Sequence, residues 1–196
     1  FLMATENILV GGLAAVNRSD VDGVLAYSSI GQVGFIVLPL AVAATAEGPV
    51  RTVGILAALV YTLNHALAKG SLFLLSGAIR DRTGTDDLDR LGGLARSAPV
   101  LSAGFFVAAL ALVGIPPLTG FFGKLFVFQT AVDAGVAGAT AAWLALAVAL
   151  LGAVLTIAYL SRLWNHAFWG ESESVVAGPT PLQNSVNARL MASSVP

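Results

Sequence analysis

The sequence predicts an all-α polytopic membrane protein, and three observations carry that expectation. Apolar residues make up 57% of the chain and charged residues only 11%, against about 25% charged in soluble domains. Mean hydropathy is +0.84, and the apolar residues gather in runs on the scale of the ~20 residues a helix needs to cross a bilayer core. Both lysines, Lys69 and Lys124, lie inside such runs, whereas the eight arginines sit almost entirely in the polar stretches between them.

The runs give five transmembrane helices. Residues 1–16 read as the end of one span, with Glu6 as its only charge, and Asn17–Gly23 as a polar turn. Residues 24–46 form a second span, Glu47–Arg51 a tight loop, and residues 52–79 a third span that carries His65 and Lys69. Arg80 to Arg96 is the most charged stretch, with four arginines and four aspartates. Residues 99–132 are too long and too interrupted for one straight helix, so the fourth span is expected to be discontinuous. Residues 138–167 give the last span. The chain opens at Phe1 inside an apolar run with no charged segment before it, which reads as a fragment of a longer chain rather than a signal peptide. Residues 1–169 are thus expected to form a transmembrane ion-translocating domain, and 170–196 a polar linker or tail rich in Ser, Pro and Asn.

Charge asymmetry orients the spans. Arg18, Arg80, Arg82, Arg90, Arg96, Arg162 and Arg189 flank one side and Arg51 alone the other, seven against one. The positive-inside rule then places the loop 80–98 and the tail in the cytoplasm, and Trp164 and Trp169 fit an aromatic belt at that surface.

Several function classes drop out. A net charge of −1 excludes nucleic-acid binding through a basic surface. Zero cysteines exclude disulfides and thiolate-held clusters. Two histidines 101 positions apart offer no metal-ligand spacing. With no phosphate loop and no nucleophile elbow, no catalytic residues, cofactor or metal are expected.

The ionisable residues inside the spans point instead to a proton path. A charge at mid-bilayer costs roughly 2.5–3.5 kcal/mol on insertion scales, so it usually marks an ion route. His65 and Lys69, four apart, share a helical face. Extending it gives Thr62, His65, Lys69, Leu72 and Ser76, a polar seam with one apolar member. This reads as a relay through imidazole, amine and water rather than as glue between helices. Ser28 and Gln32 share a face of the second span and fit either the same wet seam or a packing contact. Arg162 and His166 read as a headgroup or subunit contact. Gly114, Pro116 and Pro117 interrupt the fourth span. The two prolines remove two backbone donors and leave the Leu112 and Val113 carbonyls without helical partners. Unwound backbone at membrane depth is tolerated where it lines a wet cavity. Lys124, about two turns further on, is expected to gate that end of the path.

These residues resemble a known family. Ala26-Tyr27-Ser28-Ser29-Ile30 with Gly34-Phe35 carries part of the likeness, and His65-Ala66-Leu67-Ala68-Lys69 with Leu72-Phe73 and Gly77 carries more. Leu91-Gly92-Gly93-Leu94 with Pro99 and the run from Gly114 to Lys124 complete it in order. Together they are similar to the antiporter-like proton-translocating subunits shared by respiratory complex I and the Mrp multisubunit sodium/proton antiporters. The resemblance implies a fourteen-helix antiporter-like fold with two inverted five-helix repeats, of which this chain would be the second. It also implies that Lys69, His65 and Lys124 serve a proton relay and that no cofactor is held. The expected partners are other subunits of a hetero-oligomeric complex, the lipid bilayer, protons and sodium, in the plasma membrane of a prokaryote. Arg162-Leu163-Trp164, Phe168–Glu171 and Thr83–Leu88 look more like the D-type component of the Mrp antiporter. Gly123-Lys124 also suits some complex I subunits, and that remains the alternative.

Overall fold

The computed structural model describes residues 1–170, and within them every regular element is helical. In chain order these are α1 (Leu2–Val16), α2 (Val21–Thr45), α3 (Gly48–Thr83), the single turn α4 (Leu94–Ser97), α5 (Pro99–Val113), α6 (Thr119–Val136) and α7 (Thr140–Trp164). A π-helical turn, Asn165–Trp169, follows α7. The expected polar tail and Arg189 fall, apart from Gly170, outside the described residues.

Local chemistry sets the boundaries. The Asp20 carboxylate caps α2 by accepting from the Gly23 N–H at 2.6 Å. Pro49 opens α3 in its first turn, and Gly84 closes it at φ 74°, a left-handed conformation that glycine adopts without a Cβ penalty. Pro99 likewise opens α5, and Gly114 ends it at φ 91°. Ile115 to Leu118, whose Pro116–Pro117 peptide is cis, then separates α5 from α6.

Three helices are long and apolar enough to cross a membrane: Val21–Thr45, Gly48–Thr83 and Thr140–Trp169. Leu2–Val16 and Pro99–Val113, at 15 residues each, rise only about 22 Å against a core of ~30 Å. Of the five expected spans, three are therefore complete single helices by length and composition.

In the bundle α1 packs on α2 and α7, while α3 packs on α2, α5 and α6. Small residues let α1 and α2 approach closely, and a Cβ on Gly11 would strike the Gly31 backbone. The charged stretch after α3 is not a free loop. Val21 N–H donates to the Asp86 carbonyl at 2.9 Å and Leu88 N–H to the Ser19 carbonyl at 2.8 Å. Leu88, Leu91 and Leu94 are buried beneath it against Leu72, Ile79 and Leu163. Its leucines are thus core and its charges are rim.

The arginines at this end tie elements together. Arg80 pairs with Asp22 and, at 3.0 Å, with Asp86. Arg82 donates to the Ser97 carbonyl at 2.6 Å. Arg162 donates to the carbonyls of Val16 and Arg18 at the end of α1, and the His166 Nδ1 meets the Arg162 carbonyl at 2.8 Å. Arg162 thus joins α7 to the C-terminal end of α1 and the turn after it, a contact within the chain beside the headgroup or subunit role expected for Arg162 and His166. Trp169 faces outward, whereas Trp164 stacks on Phe168 at 4.3 Å with its indole nitrogen buried. Only Trp169 keeps the exposed position expected of a belt residue.

Candidate functional site

Both lysines are buried, each 5% exposed. Lys69, on α3, points its ammonium at α2, donating to the Leu25 carbonyl at 2.7 Å and to the Ser28 hydroxyl. Lys124, on α6, turns back across the break and donates to the Val113 carbonyl at 2.8 Å, with the Phe35 ring 5.4 Å away. Neither has a carboxylate partner among the described residues. Among the described residues the ion pairs are those of Arg80 with Asp22 and Asp86.

Between the lysines runs a polar thread with Gln32 at its centre. The Gln32 amide donates to Thr156 Oγ1 at 3.2 Å and to the Tyr159 hydroxyl at 3.0 Å, and its carbonyl accepts from the Tyr61 hydroxyl. Tyr159 also lies against Ser28, the partner of Lys69. Tyr61 stacks on Phe35 at 5.5 Å, and its ring packs so closely on Gly123, next to Lys124, that a Cβ there would lie 2.9 Å from it. Ser28, Tyr159, Gln32 and Tyr61 thus lead from one lysine towards the other. Such a fully partnered network is stable in a low-dielectric interior because no hydroxyl is left alone.

The seam on α3 differs from its sequence outline. Ser76 is buried and donates to the Asp22 carboxylate, and His65 is half-buried with its Nδ1 enclosed and unpartnered among the described residues. Thr62 is exposed, and its hydroxyl returns to the Ala58 carbonyl at 2.7 Å. The inward residues are Tyr61 and Asn64, and one step of about 100° along the helix carries Thr62 off their face. Leu72, wholly buried, separates Ser76 from Lys69.

The break is also occupied differently. The expected free carbonyl of Val113 is taken by Lys124. The Ala111 carbonyl accepts from the Asn64 amide at 3.3 Å, and the Asn64 carbonyl accepts from the Thr119 hydroxyl at 2.7 Å. Tyr61, Asn64, Thr156 and Tyr159 join the candidate site through these bonds, and the sequence pattern alone does not single them out. Their one signal is polarity within apolar helices, with Thr156 and Tyr159 three apart and Tyr61 four before His65. No cluster of three or more His, Cys, Asp or Glu side chains forms a metal site among the described residues.

A bundle of apolar helices that buries two lysines on neutral partners beside a broken helix defines a polytopic membrane protein with an ionisable interior. The chain belongs to the family described as NADH:quinone oxidoreductase/Mrp antiporter, TM, whose profile matches residues 1–156. It is 36% identical over 166 residues to the N-type component of the NADH-quinone oxidoreductase of Desulforudis audaxviator (strain MP104C), covering 85% of this chain and 30% of that protein. It is 35% identical over 172 residues to the D-type component of the Na(+)/H(+) antiporter of Alkalihalophilus pseudofirmus, covering 88% of this chain and 32% of that one. Among solved structures, the Mrp complex from Dietzia sp. DQ12-45-1b superposes with a TM-score of 0.77 at 32% identity, over 96% of this chain and 35% of that chain. The chain thus spans about a third of the length of these relatives.

Proposed function

We propose that this chain is part of the ion-translocating subunit of a multisubunit sodium/proton antiporter, and that it moves protons between Lys69 and Lys124. The observation that carries this reading is the pairing of each buried ammonium with neutral oxygens alone. An ammonium in an ion pair is held by its counter-charge, whereas one resting on carbonyls and a hydroxyl can exchange its proton without stranding a buried carboxylate. The hydroxyl and amide groups of Ser28, Tyr159, Gln32 and Tyr61 can orient water along the interval, with His65 a further station beside Lys69. Lys124 can be neutral or charged, so its state at the break would gate the far end of the path. In this reading the helices form the second of two inverted five-helix repeats. The Arg-rich end faces the cytoplasm of a prokaryote, and other subunits complete the complex in the plasma membrane.

The relatives support a second reading equally in kind: a membrane-arm subunit of an NADH-quinone oxidoreductase, favoured by the 36% identity to such a protein. One experiment separates the two. The full-length protein in its assembled complex is placed in vesicles carrying an acid interior, and sodium is added outside. Sodium-dependent discharge of the gradient without any quinone supports the antiporter. Proton movement that requires NADH and quinone and ignores sodium supports the oxidoreductase.

A further inference from the structure

Asn64 is a buried side chain of α3 that hydrogen-bonds to both halves of the broken helix, and the proton path proposed for the two lysines does not use it. It is 2% exposed and follows Tyr61 by three positions on the buried face of α3. Its amide N–H meets the Ala111 carbonyl near the end of α5 at 3.3 Å, and its carbonyl receives the Thr119 hydroxyl at the start of α6 at 2.7 Å. The two halves are also joined by Lys124, reaching from α6 to Val113. The break therefore has two closures, one through a neutral amide with no proton to give and one through an amine that can titrate. Gly120 holds them in register, since a Cβ there would overlap the Ala111 carbonyl and lie 3.0 Å from the Asn64 amide nitrogen.

We propose that Asn64 is a positioning residue for proton transfer: a fixed strut that keeps α5 and α6 in place while Lys124 leaves and regains the Val113 carbonyl. The inference rests on the proton-path reading and adds a division of labour to it. If the break were closed by Lys124 alone, each departure of the lysine would leave the half-helix ends free to shift against α3. The spacing between Lys124 and the Lys69-bearing helix would then be lost in every cycle. A neutral amide clamped at both ends removes that freedom, because its two bonds do not depend on the charge of Lys124. It also explains why the clamp comes from α3: Asn64 lies one residue before His65 and five before Lys69, so both ends of the transfer are referred to one rigid element.

The test measures transport per assembled complex in vesicles of the full complex, for Asn64→Leu, Thr119→Val, their combination, Thr119→Ser and Lys69→Arg. Asn64→Leu keeps the branched shape and removes both bonds of the clamp, and Thr119→Val releases its α6 end alone. Each is expected to lower the maximal rate about tenfold, since loss of either end frees the half-helices, with the sodium concentration at half-maximal rate unchanged. The double variant is expected to be no slower than Asn64→Leu, because both changes break one device. Thr119→Ser, which keeps the donor hydroxyl, is expected to recover at least half of the loss. Rates per complex that stay at the wild-type level, even where total transport falls because less complex assembles, overturn the strut. So does a double variant whose losses multiply. Lys69→Arg separates this from the underlying reading. A wild-type rate there removes the proton path, whereas impaired Lys69→Arg beside normal Asn64→Leu and Thr119→Val removes the strut alone.

Discussion

Lys124 and Val113 stand eleven residues apart on opposite sides of a helix break, and the lysine ammonium donates to the valine carbonyl at 2.8 Å. One side chain thereby serves as both the ionisable group and a cap for the interrupted helix. The two roles separate by substitution. Lys124→Ala removes the charge and leaves a buried carbonyl unpartnered, so it is expected to abolish transport and to cost about 1–3 kcal/mol of stability. Lys124→Gln keeps a neutral N–H donor and is expected to abolish transport while recovering much of that stability. Thermal unfolding of the purified complex beside transport in vesicles checks both. Unequal stability with equal transport loss is the expected pattern.

Gly120 tests the tightness of the break. A Cβ at that position would overlap the Ala111 carbonyl oxygen, which is backbone and cannot swing aside. Gly120→Ala is expected to destabilise the protein by about 1–3 kcal/mol and to lower the amount of assembled complex. Unchanged thermal unfolding of the complex would show that the two half-helices are not in close contact.

Gln32 is the hub of the polar thread, and Gln32→Leu removes the acceptor of the Tyr61 hydroxyl together with the amide that donates to Tyr159 and Thr156, although the Thr156 hydroxyl keeps the Gly152 carbonyl. The expected cost is about 1–3 kcal/mol. Tyr61→Phe is expected to cost less in the Gln32→Leu background than in the wild type, because its partner is already gone. A thermal double-mutant cycle measures this coupling, and additive losses would mean the Tyr61–Gln32 bond contributes nothing.

Much of this arrangement is legible in the sequence. The two lysines inside apolar runs and the glycine–proline–proline interruption are chemical anomalies in a bilayer, and such anomalies show in one dimension. The partners do not. Asn64, Tyr159 and Thr156 matter through residues 47 to 127 positions away, and nothing local announces that pairing. The face of α3 differs from the sequence pattern by one step, at Tyr61 instead of Thr62, because a stripe through His65, Lys69 and Ser76 extrapolates to either residue. The stretch from Arg80 to Arg96 reads from sequence as a charged loop, and its eight aspartates and arginines mask the three leucines that anchor it. Arg162 lies beside tryptophans and suggests a surface, and its bonds to the carbonyls of Val16 and Arg18, 146 and 144 positions away, have no local signal.

The most direct test of the central claim is proton transport by Lys69→Arg in the full-length protein, assembled with its partners and normalised to the amount of complex. Arginine keeps the positive charge and can still donate to the Leu25 carbonyl and the Ser28 hydroxyl, but a guanidinium does not release its proton. The expected result is assembly near the wild-type level with transport below about a tenth of it, a barrier increase of at least ~1.4 kcal/mol. Wild-type transport by Lys69→Arg would contradict the claim, because it would show that transport does not need residue 69 to release a proton.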